Sequence, residues 1–208
     1  MSSPINLPSP IDLGSMDLDP HVEFARWFAH AGAAGVHEPE AIALATADEH
    51  GRPSVRMVLL RGFGADGYVW FTNRKSRKGR EIAANPRAAL VAHWASVGRQ
   101  VRIEGSVSPA TQERADAYFA GRDRASQIGA WASHQSDPLD DREELLARID
   151  ELTREFETGP VARPPHWGGY LLSADRIEFW QHGEHRIHDR VEYLLRADGS
   201  WSRRRLNP

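Results

Sequence analysis

The chain has 208 residues, 40% hydrophobic and 26% charged, with a formal net charge of -3 and no cysteine. That balance fits a single globular domain with a real core, and it excludes disulfides, thiolate metal ligands and thiol nucleophiles. No apolar run approaches the ~20 residues of a membrane helix, and the charge gives no global pull toward nucleic acid or anionic lipid, so a cytoplasmic protein with neither partner is expected.

Residues 1–18 hold three prolines and several serines without apolar periodicity, and read as a mobile tail before a single domain at 19–208. Asp19-Pro20 has the form of an N-cap followed by proline at the first helical position. Val22, Phe24, Ala25, Phe28 and Ala29 then recur at helical spacing, so a helix runs to about Gly35. Apolar runs rich in β-formers follow at 41–47, 54–60, 68–72, 88–94 and 100–107. Turn residues at 48–51 and 64–67 predict that the first three are antiparallel neighbours. A short helix at 76–84 has Ser76 as its cap and Asn85-Pro86 as its stop. Helical patterns then occupy 112–120, the neighbourhood of 126–131, and 140–157, the last with Leu145, Leu146, Ile149, Leu152 and Phe156 on one stripe. Strands return at 169–172, 177–181, 187–195 and 201–206. The expected fold is mainly β with α: a closed or nearly closed antiparallel barrel with peripheral helices.

Arg56-Met57-Val58-Leu59-Leu60-Arg61 puts a cation at each end of a strand that otherwise reads as buried. Buried strands seldom carry unpaired charge, so these groups either reach solvent or serve an anion. Ser76-Arg77-Lys78-Gly79-Arg80 opens a helix whose free N–H groups, beside cations, can cradle a phosphate, although basic surface helices share the pattern. Tyr118, Arg122 and Ser126, spaced by four, would line one helix face with phosphate donors, or else form a solvated face. On a strand, Arg186, His188 and Arg190 project together, toward an anionic ligand or as a charged edge that resists aggregation. His182, His185 and His188 are spaced by three, but an extended segment turns His185 away from the others, which argues against a metal. The arginines of 202–205 lack interleaved aromatics and read as surface or a dimer contact. Hydrolase elbows, phosphate-binding glycine loops with Lys and Ser or Thr, and dinucleotide fingerprints are absent from the sequence.

Taken together, Arg56-Met57-Val58-Leu59-Leu60, Phe71-Thr72-Asn73, Ser76-Arg77-Lys78-Gly79, Arg99-Gln100-Val101, Tyr118-Phe119, Ser126-Gln127-Ile128-Gly129-Ala130-Trp131, Gln135-Ser136, Trp167-Gly168-Gly169 and Ile177-Glu178-Phe179-Trp180-Gln181 with Arg186-Ile187-His188-Asp189-Arg190 resemble the pyridoxamine 5'-phosphate oxidase family. The likeness runs in order from about residue 24 to the end. It implies a split antiparallel β-barrel that binds FMN at the interface of a homodimer. FMN contacts would come from Arg56, Met57, Val58, Leu59, Leu60, Phe71, Thr72, Arg77, Lys78, Gln100, Gln135, Ser136, Trp180 and Arg190. Arg61, Tyr118, Arg122 and Ser126 would hold the substrate phosphate, and Arg186 and His188 would bind and orient its pyridine ring as the catalytic pair. The implied reaction is FMN-dependent oxidation of pyridoxine or pyridoxamine 5'-phosphate to pyridoxal 5'-phosphate, with O2 reduced to hydrogen peroxide.

Two features depart from the family pattern. Position 61 is Arg where the family usually has Lys, which replaces a compact ammonium with a forked guanidinium. The segment before Asp19 also lacks the usual basic, tyrosine-containing stretch that helps cover the substrate. Two rival functions stand beside this one. The first is a related flavin oxidase of secondary metabolism with a phenazine-type substrate, against which the retained Tyr118, Arg122 and Ser126 argue. The second is a non-catalytic FMN- or pyridoxal phosphate-binding protein.

Overall fold

The computed structural model describes residues 9–208. Helix α1 (Pro20–Ala33) opens as its sequence dictates, with the Asp19 carboxylate accepting the His21 N–H at 2.8 Å and proline at the first turn. The strands are β1 (Ala41–Ala47), β2 (Pro53–Leu59), β3 (Gly62–Gly64), β4 (Gly67–Asn73), β5 (Arg87–Trp94), β6 (Arg99–Pro109), β7 (Trp167–Gln181), β8 (Asp189–Leu195) and β9 (Trp201–Arg205). Helix α2 (Arg77–Ala84) lies between β4 and β5, and α3 (Gln112–Ala120), α4 (Arg124–Ala132) and α5 (Arg142–Glu155) lie between β6 and β7.

All pairings are antiparallel. The order β2-β1-β5-β6-β7-β4-β3 curls into a split barrel, from which β8 and β9 branch off β7. The expected antiparallel barrel with peripheral helices is therefore present, with differences in detail. Strands β1 and β2 form the expected hairpin, but β4 pairs with β7 and with the short strand β3 rather than with β2. The runs at 169–172 and 177–181 are one strand, because β6 pairs along both halves and a bulge after Glu104 absorbs the irregularity between them. β2 is not buried: it is an edge strand on which Val55, Met57 and Leu59 are 70%, 62% and 40% exposed.

The core fills the barrel with Ile42, Leu44, Trp70, Leu90, Trp94, Ile103, Leu172, Ile177 and Phe179, and α1 closes one end with Phe24 and Trp27. Phe24 packs edge-on against Tyr68 (5.1 Å) and Phe63 (5.0 Å), which adds directional aromatic contact to apolar burial. A satellite cluster of Phe119, Ile128, Val161 and Trp167 seats α3, α4 and α5 beside β7.

Residues 9–18, expected to be mobile, lie against β8 and β9; residues 1–8 of that segment fall outside the described residues. Ile11 and Met16 are buried, Gln181 donates to the Ser9 carbonyl (2.7 Å), and Tyr193 donates to that of Asp17 (2.7 Å). The basic run of β9 is consumed here. Arg203 donates to the Met16 carbonyl, Arg204 pairs with Glu192 and Arg205 with Asp189. Among the described residues no helix is long and apolar enough to cross a membrane, and no group of His, Asp and Glu could hold a metal ion.

Candidate cofactor and substrate site

A cavity of about 250 Å³ opens between β2, β4, α2, α3 and the segment after α4. It gathers Met57, Val58, Leu59, Arg61, Phe71, Thr72, Lys78, Tyr118, Arg122 and Gln135, all expected at the site, with Asn73 and Trp167 added. Leu60 is buried behind this wall.

One cationic pole is built on the start of α2. Gly79 has no room for a Cβ, which would collide with the Arg74 carbonyl oxygen, so only glycine lets this turn close against the chain before it. Lys78 is 8% exposed, and its Nζ donates to Thr72 Oγ1 (3.2 Å), Ser76 Oγ (3.3 Å) and Gln135 Oε1 (3.1 Å). All three partners are neutral. Burial, helped by the nearby Arg56 charge, pushes the Lys78 ammonium down to about 8. A buried cation without a carboxylate partner is a site prepared for an anion. Arg56 and Arg77 stand beside it, both joined to Glu81, at 3.2 and 2.9 Å. Arg56 thus points from β2 toward α2 rather than emerging into solvent at a strand end.

The second pole is Arg122. Its Nη1 is buried and has no hydrogen-bond partner among the described residues, while its guanidinium lies over the rings of Trp167 (5.0 Å) and Phe119 (5.8 Å). Burial lowers its pKa, opposed by Tyr118 and Asp123. Arg61 lies over the Tyr118 ring at 5.9 Å and pairs loosely with Glu40 at 3.8 Å. An aromatic stack lies alongside: Phe71 and Tyr118 are parallel with centroids 4.2 Å apart, and Trp167 is parallel to Phe71 at 5.7 Å. A Cβ on Gly169 would strike the Phe71 ring, so the stack depends on glycine there.

Tyr118, Arg122 and Ser126 do not share one helix. Tyr118 is near the end of α3, Arg122 lies in the linker, and Ser126 is in the first turn of α4 with its N–H on Asp123 Oδ1 (2.8 Å). The helix ends at Gly121 and Asp123 caps a new one, so a corner rather than helical periodicity brings Tyr118 and Arg122 to the cavity, and Ser126 is not among its lining residues. Gln135 also accepts the Thr72 hydroxyl (3.0 Å), and Ser136 follows at φ 74° in the turn after α4.

The remaining expected residues lie elsewhere. Gln100 pairs with Trp180, and Trp180 with Arg190, at the far end of β7. Phe71 pairs with Gly169; from Gly169 to Trp180 the strand has a contour of at most about 36 Å, at ~3.3 Å per residue. Arg186 and His188 are not on a strand. Residues Glu184–Arg186 form a 3-10 turn, His185 and Arg186 have φ of 54° and 65°, and β8 begins only at Asp189. The expected alternation of Arg186, His188 and Arg190 on one face is therefore absent: a turn breaks period two. His188 lies against Trp180 (4.6 Å) and accepts the Gly183 N–H on Nδ1 at 3.2 Å, so its neutral form carries the proton on Nε2. Arg190 is clamped side-on by Glu178, at 2.8 and 3.1 Å.

Sequence reasoning passed over Glu81, and it gave Trp167 and Glu178, though both lie in the motifs quoted above, no role at the site. The i,i+4 spacing of Arg77 and Glu81 and the placement of Glu178 within a strand were the available signals.

Residues 28–154 match the family described as "Pyridoxamine 5'-phosphate oxidase", and residues 167–208 match "Pyridoxine 5'-phosphate oxidase C-terminal dimerisation region". The pyridoxine/pyridoxamine 5'-phosphate oxidase of Rubrobacter xylanophilus is 54% identical over 192 residues, 92% of this chain and 88% of that one. The protein of the same name from Anaeromyxobacter dehalogenans is 52% identical over 91% of this chain and 96% of its own length. Among solved structures, PhzG from Burkholderia lata in complex with tetrahydrophenazine-1-carboxylic acid superposes with a TM-score of 0.87 at 35% identity, covering 94% and 95% of the two chains. Matched by the family over most of its length and more than half identical to these relatives, the chain belongs to the pyridoxamine 5'-phosphate oxidase family.

Proposed function

We propose that this chain binds FMN and oxidises pyridoxine or pyridoxamine 5'-phosphate to pyridoxal 5'-phosphate, with O2 reduced to hydrogen peroxide. The observation that carries the reading is a cavity with two separate cationic poles, a buried Lys78 and a half-buried Arg122 with its Nη1 enclosed, neither in an ion pair among the described residues. One phosphate monoester would leave one pole unmet; a phosphorylated cofactor and a phosphorylated substrate satisfy both. The names of the relatives more than half identical point the same way.

Bound FMN would supply the two-electron acceptor and the route of those electrons to O2. The chain supplies position and charge. Lys78, Arg77 and Arg56, with Thr72, Gln135 and Ser136, hold the cofactor end, while Phe71 and the Met57–Leu60 segment wall the cavity. Arg122, Arg61, Tyr118 and Ser126 hold the substrate phosphate, and the forked Arg61 can meet two of its oxygens. Arg186 and His188 orient the pyridine ring, with His188 Nε2–H as donor. These two, with Gln100, Trp180 and Arg190, lie too far along β7 to join the Lys78 pole within one chain. A complete site therefore needs two copies, in keeping with the match to a dimerisation region and with the exposed row Val55, Met57 and Leu59.

The test is the visible spectrum of the purified protein, followed by anaerobic addition of pyridoxine 5'-phosphate. Bleaching of a yellow protein, with peroxide on aeration, is the expected result. Bleaching only by a reduced phenazine carboxylic acid would move the substrate to the class bound by the Burkholderia lata protein. Bound ligand without bleaching would make the chain a carrier.

A further inference from the structure

Glu81 is the one acidic group within hydrogen-bond reach of the Arg56 and Arg77 side chains among the described residues, and it is 6% exposed. Its Oε2 accepts from Thr46 Oγ1 (2.5 Å), Ser54 Oγ (2.6 Å) and Arg56 Nη2 (3.2 Å), and its Oε1 accepts from Arg77 Nε (2.9 Å). One carboxylate thus ties β1, β2 and α2 together. We propose that Glu81 is a positioning residue for phosphate binding, fixing Arg56 and Arg77 so that the cradle beside Lys78 is formed before its ligand arrives. The proposal rests on the FMN reading above.

The bonding pattern separates holding from competing. Arg77 is gripped by Nε alone, so both terminal nitrogens stay free of bonds among the described residues, and its side chain is 61% exposed. A guanidinium held by one edge presents the other to a ligand, and fixing it beforehand removes rotamer entropy that binding would otherwise cost. Arg56 is wedged further by the Leu44 carbonyl (3.2 Å) and by Thr46 Oγ1 (2.5 Å), so it does not swing away when a phosphate enters. Burial pushes the Glu81 carboxyl up, but bonds from Ser54, Thr46, Arg77 and Arg56 outweigh it and hold it at about 2, so the clamp stays charged at any working pH. Three cations and one carboxylate leave a surplus of two positive charges, matched to a phosphate dianion.

The experiment titrates flavin-free protein with FMN and with riboflavin, which lacks the phosphate, and follows flavin fluorescence. Glu81→Gln keeps the shape and removes the charge; Glu81→Asp keeps the charge but withdraws it by a methylene. A positioning role predicts that both variants lose about tenfold of the preference for FMN over riboflavin, the scale of one charge-assisted hydrogen bond, with riboflavin affinity unchanged. An unchanged or increased preference in either variant overturns the proposal, since a competing anion would strengthen FMN binding when neutralised and a charge-balancing one would tolerate Asp. Equal loss for both flavins also overturns it, by showing a general structural role. If Glu81→Gln does not fold, the Asp variant decides alone. Failure of the unaltered protein to prefer FMN would instead sink the cofactor reading itself.

Discussion

FMN affinity should fall about tenfold between roughly pH 7 and pH 9, through Lys78. Its ammonium lies near 8 in the ligand-free protein, because burial and the Arg56 charge both penalise the cation. A phosphate placed against it removes that penalty, so the bound form keeps the proton. Binding is then linked to proton uptake, and affinity declines once the free protein has lost the proton. One unit above the folded value, about one molecule in eleven is still protonated, which gives roughly tenfold at pH 9. The phosphate is already a dianion above ~7, its second ionisation lying near 6, so it adds no slope. The buried tyrosines Tyr68, Tyr170 and Tyr193 are raised above the ordinary phenol range by burial and stay neutral over this window. The assay is fluorescence titration of flavin-free protein at several pH values, with riboflavin and the Lys78→Met variant as controls. Riboflavin should give a flat profile, and Lys78→Met should bind FMN weakly and without slope. A flat FMN profile for the unaltered protein, or the same slope in the variant, would refute the reasoning.

Arg122→Met should raise the KM for pyridoxine 5'-phosphate by about 10- to 100-fold, since it removes charge-assisted bonds of about 1.5–3 kcal/mol from a site whose donor is already desolvated. FMN affinity should stay within about twofold of normal, and steady-state kinetics with parallel flavin titration would expose a wrong assignment if both fell together. Met57→Glu puts a charge on the exposed apolar row of β2 and should yield a monomer that retains little FMN. Sedimentation would check this, and a surviving dimer with full flavin content would place the interface elsewhere.

The sequence by itself determined what depends on near neighbours. The Asp19-Pro20 cap, the β1–β2 hairpin and the helix starting after Ser76 formed where the local pattern put them, although the Ser76 side chain makes no capping bond among the described residues. The Lys78 pole was legible for the same reason, because a helix start and its flanking cations lie within a few consecutive residues. Tertiary structure decided everything that required a distant partner. Whether β7 was one strand or two depended on β6 pairing along both halves, which no local window contains. Arg186 and His188 left the strand because the chain turns back at Gly183 to reach β8. Tyr118, Arg122 and Ser126 do not lie along one helix, because the chain turns a corner at 121–123 between two helices, a break that four-residue spacing does not reveal. Glu81 and Trp167 looked ordinary in sequence, since a carboxylate becomes an organising group only when folding buries it among four donors, and a tryptophan only when it stacks beside Phe71. The separation of Lys78 from Trp180 and Arg190 was likewise invisible in a list of motifs, because it is set by strand register along β7.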